Sequence, residues 1–121
     1  MFILLDELRP NNWFLSQEKV DRARKAMAPF APVQVALIDG EWALLDGHSR
    51  AYVAWERGEE GIEAVEVPAD HPLYARIHRE NRVQHVRELR ILDAEEYKTQ
   101  WLELCYLLEQ QNNFSQFGGN I

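Results

Sequence analysis

The sequence is short of cysteine, of long apolar runs and of positive charge, and each shortage excludes something. A single cysteine, Cys105, rules out an internal disulfide framework. No apolar run approaches the length of a membrane span. The opening Phe2-Ile3-Leu4-Leu5 run is too short for a signal peptide and has no basic flank before it. There is no internal repeat and no low-complexity tract. Lys and Arg number 13 against 20 Asp and Glu, a net charge of −7. Neutralising a phosphate backbone needs a basic surface, so direct DNA binding by this chain alone is not expected. What remains fits one cytoplasmic domain with no membrane contact: 121 residues, 46% apolar, enough for a core and too apolar for disorder.

The charge is uneven. Residues 71–90 hold Arg76, Arg79, Arg82, Arg87 and Arg90 against Glu80 and Glu88, a net +3, which leaves −10 for the rest. Such a run reads first as a solvated helix face or internal ion pairing. Its second reading is a contact surface for a phosphate or an acidic partner.

The stretch Trp42–Arg57 organises the rest. Trp42-Ala43-Leu44-Leu45 reads as a strand, and Ala51, Tyr52, Ala54 and Trp55 recur at helical spacing. Between them stands Asp46-Gly47-His48-Ser49-Arg50. A strand that breaks at a glycine into a helix aims the helix's free N–H groups at one point, where they and the helix dipole favour an anion. Arg50 adds a forked cation suited to phosphate or carboxylate. The plainer reading is a tight strand-to-helix turn with Arg50 paired to a surface carboxylate.

The flanking chain reads as an α+β domain. Phe2–Leu5 is a short buried strand and 6–13 a loop marked by Pro10-Asn11-Asn12. Ser16 caps a helix over about 17–28, with Leu15, Val20, Ala23 and Met27 towards the core and Lys19, Arg22 and Lys25 on a second side. Pro29-Phe30-Ala31-Pro32 ends it. Val33–Ile38 and Trp42–Leu45 form a hairpin about Asp39-Gly40, and Ile62–Val67 is a strand with one wet face. A helix follows over about Pro72–Val83, and Val86–Leu92 has no clear type. Asp93, with Glu96 at capping-box spacing, opens a last helix to about Gln111. Its inner stripe is Tyr97, Trp101, Leu104, Cys105 and Leu108. Leu102, Tyr106 and Leu107 widen that stripe beyond one core, which suits either a dimer contact or a deeply buried helix. The polar, glycine-bearing 113–121 is expected to be a frayed tail.

This order of elements resembles the ParB/sulfiredoxin fold. The residues that carry the resemblance are Ser16–Val20, Ala31–Gly40, L-L-D-G-H-S-R-A-Y-V-A-W at Leu44–Trp55, and Ile62–Pro68. Together they cover roughly residues 2–68, so the chain divides into a core over 1–68 and a helical extension over 69–112. The resemblance implies a small mixed sheet with packed helices. In ParB-like members the glycine-to-arginine turn binds a nucleotide triphosphate, with CTPase activity. In sulfiredoxin the matching turn carries Gly-Cys-His-Arg and works with ATP, and other relatives are small-molecule kinases, one of which phosphorylates free serine. Carried over, Gly47 and Arg50 match the phosphate turn, and Lys19 matches a helix lysine that faces the nucleotide. The chain departs from the pattern as well. His48 stands where sulfiredoxin has its cysteine, and Cys105 lies in an apolar stripe, so a cysteine-dependent sulfiredoxin is not expected. Ser49 replaces the first of ParB's two arginines, Arg22 and Ala26 replace hydroxyl residues, and no helix-turn-helix follows residue 68.

Phosphoryl transfer needs a phosphate cradle, a cation and a base. The candidate binding residues are Lys19, Gly47, His48, Ser49 and Arg50, for a nucleotide triphosphate with Mg²⁺ or another phosphorylated small molecule. Asp46 and His48 are the candidate catalytic residues, Asp46 for Mg²⁺ or a proton and His48 as a base near neutral pH. Each has a structural alternative: Asp46 as the cap of the following helix, His48 as a local hydrogen-bonding group. His71, His78 and His85 recur every seven residues, ~10 Å apart along a helix, so no two share a metal ion. Two readings follow: a phosphate-ligand domain with phosphotransfer or hydrolysis, or a non-catalytic module of the same fold that binds a partner or itself.

Overall fold

A computed structural model describes residues 1–27, 29–103, 105 and 106. The fold is α+β. It opens with β1 (Phe2–Leu4), a 3₁₀ turn (Leu5–Glu7), β2 (Leu8–Pro10), β3 (Phe14–Ser16) and α1 (Gln17–Lys25). Then come β4 (Val33–Ile38), β5 (Glu41–Asp46), α2 (His48–Glu56), β6 (Gly61–Glu66), α3 (Pro72–Glu80), a second 3₁₀ turn (Val86–Glu88) and β7 (Arg90–Leu92). Residues 94–103, with 105 and 106, are helical and are called α4. Five strands form one mixed sheet in the order β1-β6-β4-β5-β2, and β3 pairs with β7 in a separate parallel ribbon. The β1/β6 and β4/β5 pairs are antiparallel, whereas β4/β6 and β2/β5 are parallel.

Local chemistry sets the central elements. Asp39 and Gly40 both have positive φ, 52° and 77°, as the two-residue β4–β5 hairpin turn requires. The alternate residues Val33 and Val35 of β4 point inward and are fully buried. Leu44 of β5 and Ala51, Val53 and Ala54 of α2 join them in the main core, with Leu8, Leu15 and Val20. The Ser16 Oγ accepts the Lys19 N–H at 3.4 Å, so α1 starts where a hydroxyl cap was expected. Arg24 of α1 grips Glu56 of α2 with two parallel contacts, Nε to Oε1 at 3.0 Å and Nη2 to Oε2 at 2.7 Å.

The structure corrects several expectations. Residues 6–13 are not one loop: Leu8–Pro10 is a strand parallel to β5, and a three-residue edge ending in proline has too little pattern to read locally. The first helix stops at Lys25, and Met27 is 89% exposed, not core. In β1 only Ile3 is buried, because Phe2 and Leu4 point to the opposite face of an edge strand. α3 ends at Glu80, not Val83, since Asn81 leaves the helix to hold a neighbouring segment. The extension after residue 68 is not purely helical, because β7 pairs with β3. Asp93 Oδ1 does accept the Glu96 N–H at 2.8 Å, but the Glu96 carboxylate meets Arg90 and does not close the box. The expected helix end at Gln111, the stripe residues Leu104, Leu107 and Leu108, and the tail over 113–121 lie outside the described residues. Among the described residues no helix is long and apolar enough to cross a membrane.

Candidate functional site

β5 ends at Asp46 and α2 begins at His48, with Gly47 between them as N-cap. Gly47 has φ 101°, and a Cβ there would come 2.5 Å from Val33 Cγ1. Glycine is therefore required twice over, by the backbone angle and by close packing on β4. No side chain caps α2. Asp46, expected as the cap, pairs with Arg50 instead, Nη2 to Oδ2 at 3.2 Å. The first hydrogen bond within α2 runs from Ala51 N–H to the Gly47 carbonyl at 3.0 Å. The N–H groups of His48, Ser49 and Arg50 consequently have no partner inside the helix, and the positive end of its dipole stays open.

That end opens into a cleft of about 460 Å³, within the range of small-molecule sites. Every candidate from the sequence lies in its lining: Lys19, Asp46, Gly47, His48, Ser49 and Arg50. Arg22 adds a third cation, so three cations face one carboxylate in the described lining of a chain whose net charge is −7. Phe14, Phe30 and Tyr97 give the cleft an aromatic wall, which the sequence reading missed as part of a site. Tyr97 had a signal, its place in the inner stripe of the last helix. Phe14 and Phe30 had none beyond being apolar. The ring of Phe14 stands edge-on to Tyr97 at 5.3 Å and to Trp101 at 6.0 Å, which docks α4 beside the cleft. The Lys19 Nζ lies over the Tyr97 ring, 5.7 Å from its centroid, and makes no ion pair among the described residues. Arg22 is held by Glu18 at 2.9 Å, a solvent-exposed contact that leaves its charge largely intact as a field source.

Arg50 pairs with an exposed carboxylate, as the plainer reading expects, and is engaged beyond it. Its Nη1 donates to the carbonyls of Ala31 and Pro32 at 2.8 and 2.9 Å, and Nη2 to Asp46. Three of its five N–H bonds are thus engaged, and two of them fix the segment after Phe30 to the start of α2. Arg57 holds Phe30 and the end of α1 from the other end of α2, with its guanidinium 4.7 Å from the Phe30 ring centroid and Nη2 bonded to the carbonyls of Arg24 and Ala26. Together the two arginines set the position of one cleft wall.

His48 is equally committed. Its Nε2 accepts the Asn11 N–H at 3.1 Å. Burial pushes its pKa down to about 4, the Lys19 charge adds to the fall, and Asp46 and the Leu44 carbonyl oppose it. A neutral imidazole whose lone pair is already taken ties α2 to the chain between β2 and β3. It is poorly disposed to act as a base. Asn11 in turn donates through Nδ2 to the Tyr74 carbonyl at 2.9 Å. Asn81 clamps the same segment by donating to the carbonyls of Pro10 and Asn12, both at 2.8 Å.

The histidines of the extension are apart from this site. His71 Nδ1 accepts the Leu73 N–H at 3.1 Å and caps α3. His78 Nε2 donates to Glu41 at 3.0 Å, and Glu41 also meets Arg9 at 3.3 Å. Among the described residues no three His, Cys, Asp or Glu side chains converge as a metal site.

No family model matches this sequence, and no curated protein matches it. Among solved structures, protein Atu1540 from Agrobacterium tumefaciens is similar, with 18% identity and a TM-score of 0.56 over 75% of this chain and 61% of that one. The chain thus spans less than two thirds of that protein's length. At this identity the likeness is one of fold alone.

Proposed function

We propose that the cleft binds a nucleotide or a related phosphorylated small molecule. One observation carries the reading: an uncapped helix N-terminus opens into a cleft lined by Lys19, Arg22 and Arg50 in an otherwise acidic chain. The resemblance of the Leu44–Trp55 segment to the ParB/sulfiredoxin phosphate turn supports the same ligand class. Phosphate oxygens would accept from the Ser49 and Arg50 N–H groups and from Lys19, which exchanges its contact with Tyr97 for a full charge. Arg50 contributes its charge while holding the wall through Ala31 and Pro32. The apolar part of the ligand would lie along Phe14, Phe30 and Tyr97. A bound Mg–nucleotide would supply an activated phosphoryl group, and Asp46, the only carboxylate among the described lining residues, is the side chain that would hold its metal or accept a proton.

A thermal-shift panel with ATP, ADP, CTP and GTP, with and without Mg²⁺, tests this reading. Ligand at 100 times its dissociation constant adds about 2.7 kcal/mol, a readily visible rise in Tm. The wild type should respond to at least one nucleotide and Lys19→Glu should not. A flat panel for the wild type refutes the assignment.

A second reading, a non-catalytic module that self-associates through α4, is favoured by Trp101, Leu102 and Tyr106, which are 43%, 58% and 61% exposed. It requires a mass that rises with concentration in sedimentation, whatever nucleotide is present. A monomer throughout removes it.

A further inference from the structure

The two edges of the main sheet are treated differently. At one edge, β2 is fully engaged: Leu8 and Pro10 are buried, Arg9 is bonded to Glu41 and to the Asp6 and Gln84 carbonyls, and Asn81 takes the Pro10 carbonyl. At the other edge, β1 has β6 on one side and, among the described residues, no strand on its outer side. Its bonds to β6 and the residue before it use the odd-numbered residues: Met1 exchanges both backbone groups with Ala64, and Leu5 N–H donates to the Glu60 carbonyl at 2.9 Å. Antiparallel alternation then turns the N–H and C=O of Phe2 and the N–H of Leu4 outward, while the Leu4 carbonyl opens the following 3₁₀ turn as its N-cap. The side chains of the same two residues lie on the sheet face away from the core, 59% and 43% exposed, with Val65 of β6 at 45%. The Phe2 ring lies over Gly61, where a Cβ would meet its Cε2 at 2.6 Å, and Phe2, Phe30 and Gly61 line a second cleft of about 640 Å³.

The surroundings of this edge are strongly acidic. Glu59, Glu60 and Glu63 line the cleft and Glu66 ends β6. Among the described residues no Lys or Arg side chain pairs with any of them; Glu63 meets only the chain's terminal amine, at 3.3 Å.

We propose that the β1 edge docks an extended segment of another polypeptide in which apolar residues alternate with Lys or Arg. Strand addition would satisfy the outward backbone groups of Phe2 and Leu4. The apolar side chains would cover Phe2, Leu4 and Val65, and the cations would meet the glutamates. A second copy of this chain is the poorer occupant. Two-fold pairing of β1 with itself would bring the glutamates of both copies together, and like charges across a strand pair repel.

The test uses fluorescence anisotropy of a short, capped, labelled peptide of alternating Lys and Val, with its Glu–Val counterpart as control, on the full chain. Leu4→Pro is the selective variant. Leu4 has φ −66°, which proline adopts, and its N–H points away from β6, so the substitution removes an outward donor and no sheet bond. Saturable binding of the Lys–Val peptide is expected, roughly tenfold weaker for Leu4→Pro and for Glu60→Lys/Glu63→Lys, with no binding of the Glu–Val peptide. The absence of saturable binding, binding by both variants as tight as the wild type's, or equal binding of the two peptides overturns the proposal. Self-association of the wild type that Leu4→Pro abolishes also overturns it, by giving the edge to a second copy. Should Leu4→Pro fail to fold, the charge-reversal variant and the control peptide carry the decision.

Discussion

Two clefts share Pro29 and Phe30 and carry opposite charge. On one side of this segment the charged lining is Lys19, Arg22 and Arg50 against Asp46; on the other it is Glu59, Glu60 and Glu63. A net charge of −7 describes neither. The sign is set by what ends where. The first cleft receives the bare N-terminus of α2 and the cationic side of α1, whereas the second receives the acidic loop into β6 and the sheet's outer face. Long-range field and local ligand chemistry therefore diverge in this molecule, and each cleft has to be tested by itself.

The difference is broken most completely at Gly47. Gly47→Val places a branched side chain at φ 101° and against Val33, and should cost about 4 kcal/mol, read as a lower denaturant midpoint with an unchanged slope. Retained stability would mean that β4 and α2 can separate, and the basic cleft would then not be a fixed structure.

Acidification comes next. His48 has a folded pKa of about 4 against 6.5 when unfolded, so the unfolded chain binds more protons between those values. Stability should fall as pH drops from 6.5 to 4, by about 2–3 kcal/mol, and be flat in this respect above 6.5. His48→Gln should remove that limb of the stability profile. A limb that persists in the variant would assign it to other groups.

Asn81→Ala should cost about 2 kcal/mol, because the buried Pro10 carbonyl and the half-buried Asn12 carbonyl lose their donor. It loosens the segment that seats His48, so the basic cleft should weaken for phosphate while peptide binding at β1 stays the same.

Lys19→Glu sharpens the comparison with the least disturbance. Lys19 is exposed and outside any ion pair among the described residues, so stability should move by less than about 0.5 kcal/mol. Affinity for a phosphorylated ligand should drop by about tenfold or more.

The legible parts of this fold are those with local causes. Ser16 as a cap, Asp39-Gly40 as a hairpin turn and Gly47 as the break between β5 and α2 are each decided within a few residues, and the structure has all three. β2, β3 and β7 are three residues long and pair in parallel with distant partners, Leu8 with Trp42 and Phe14 with Arg90. Nothing in a three-residue window carries a period, so these strands could not be read locally. The site divides in the same way. Gly47–Arg50 was legible as a strand–turn–helix join, whereas Lys19 joined it only through the resemblance to the ParB/sulfiredoxin fold. The engagement of Arg50 was not legible, because its main acceptors are the backbone carbonyls of Ala31 and Pro32, which any sequence would offer. The same holds for His48, whose partner is the backbone N–H of Asn11.

The central claim is that the α2 N-terminus is an anion site, and amide chemical shifts during a titration with inorganic tripolyphosphate test it most directly. Saturable shifts centred on the Ser49 and Arg50 amides, absent in Lys19→Glu and absent from Phe2, Glu60 and Glu63, are the expected result. Shifts spread over the arginines of residues 76–90, or none at Ser49 and Arg50, would contradict it.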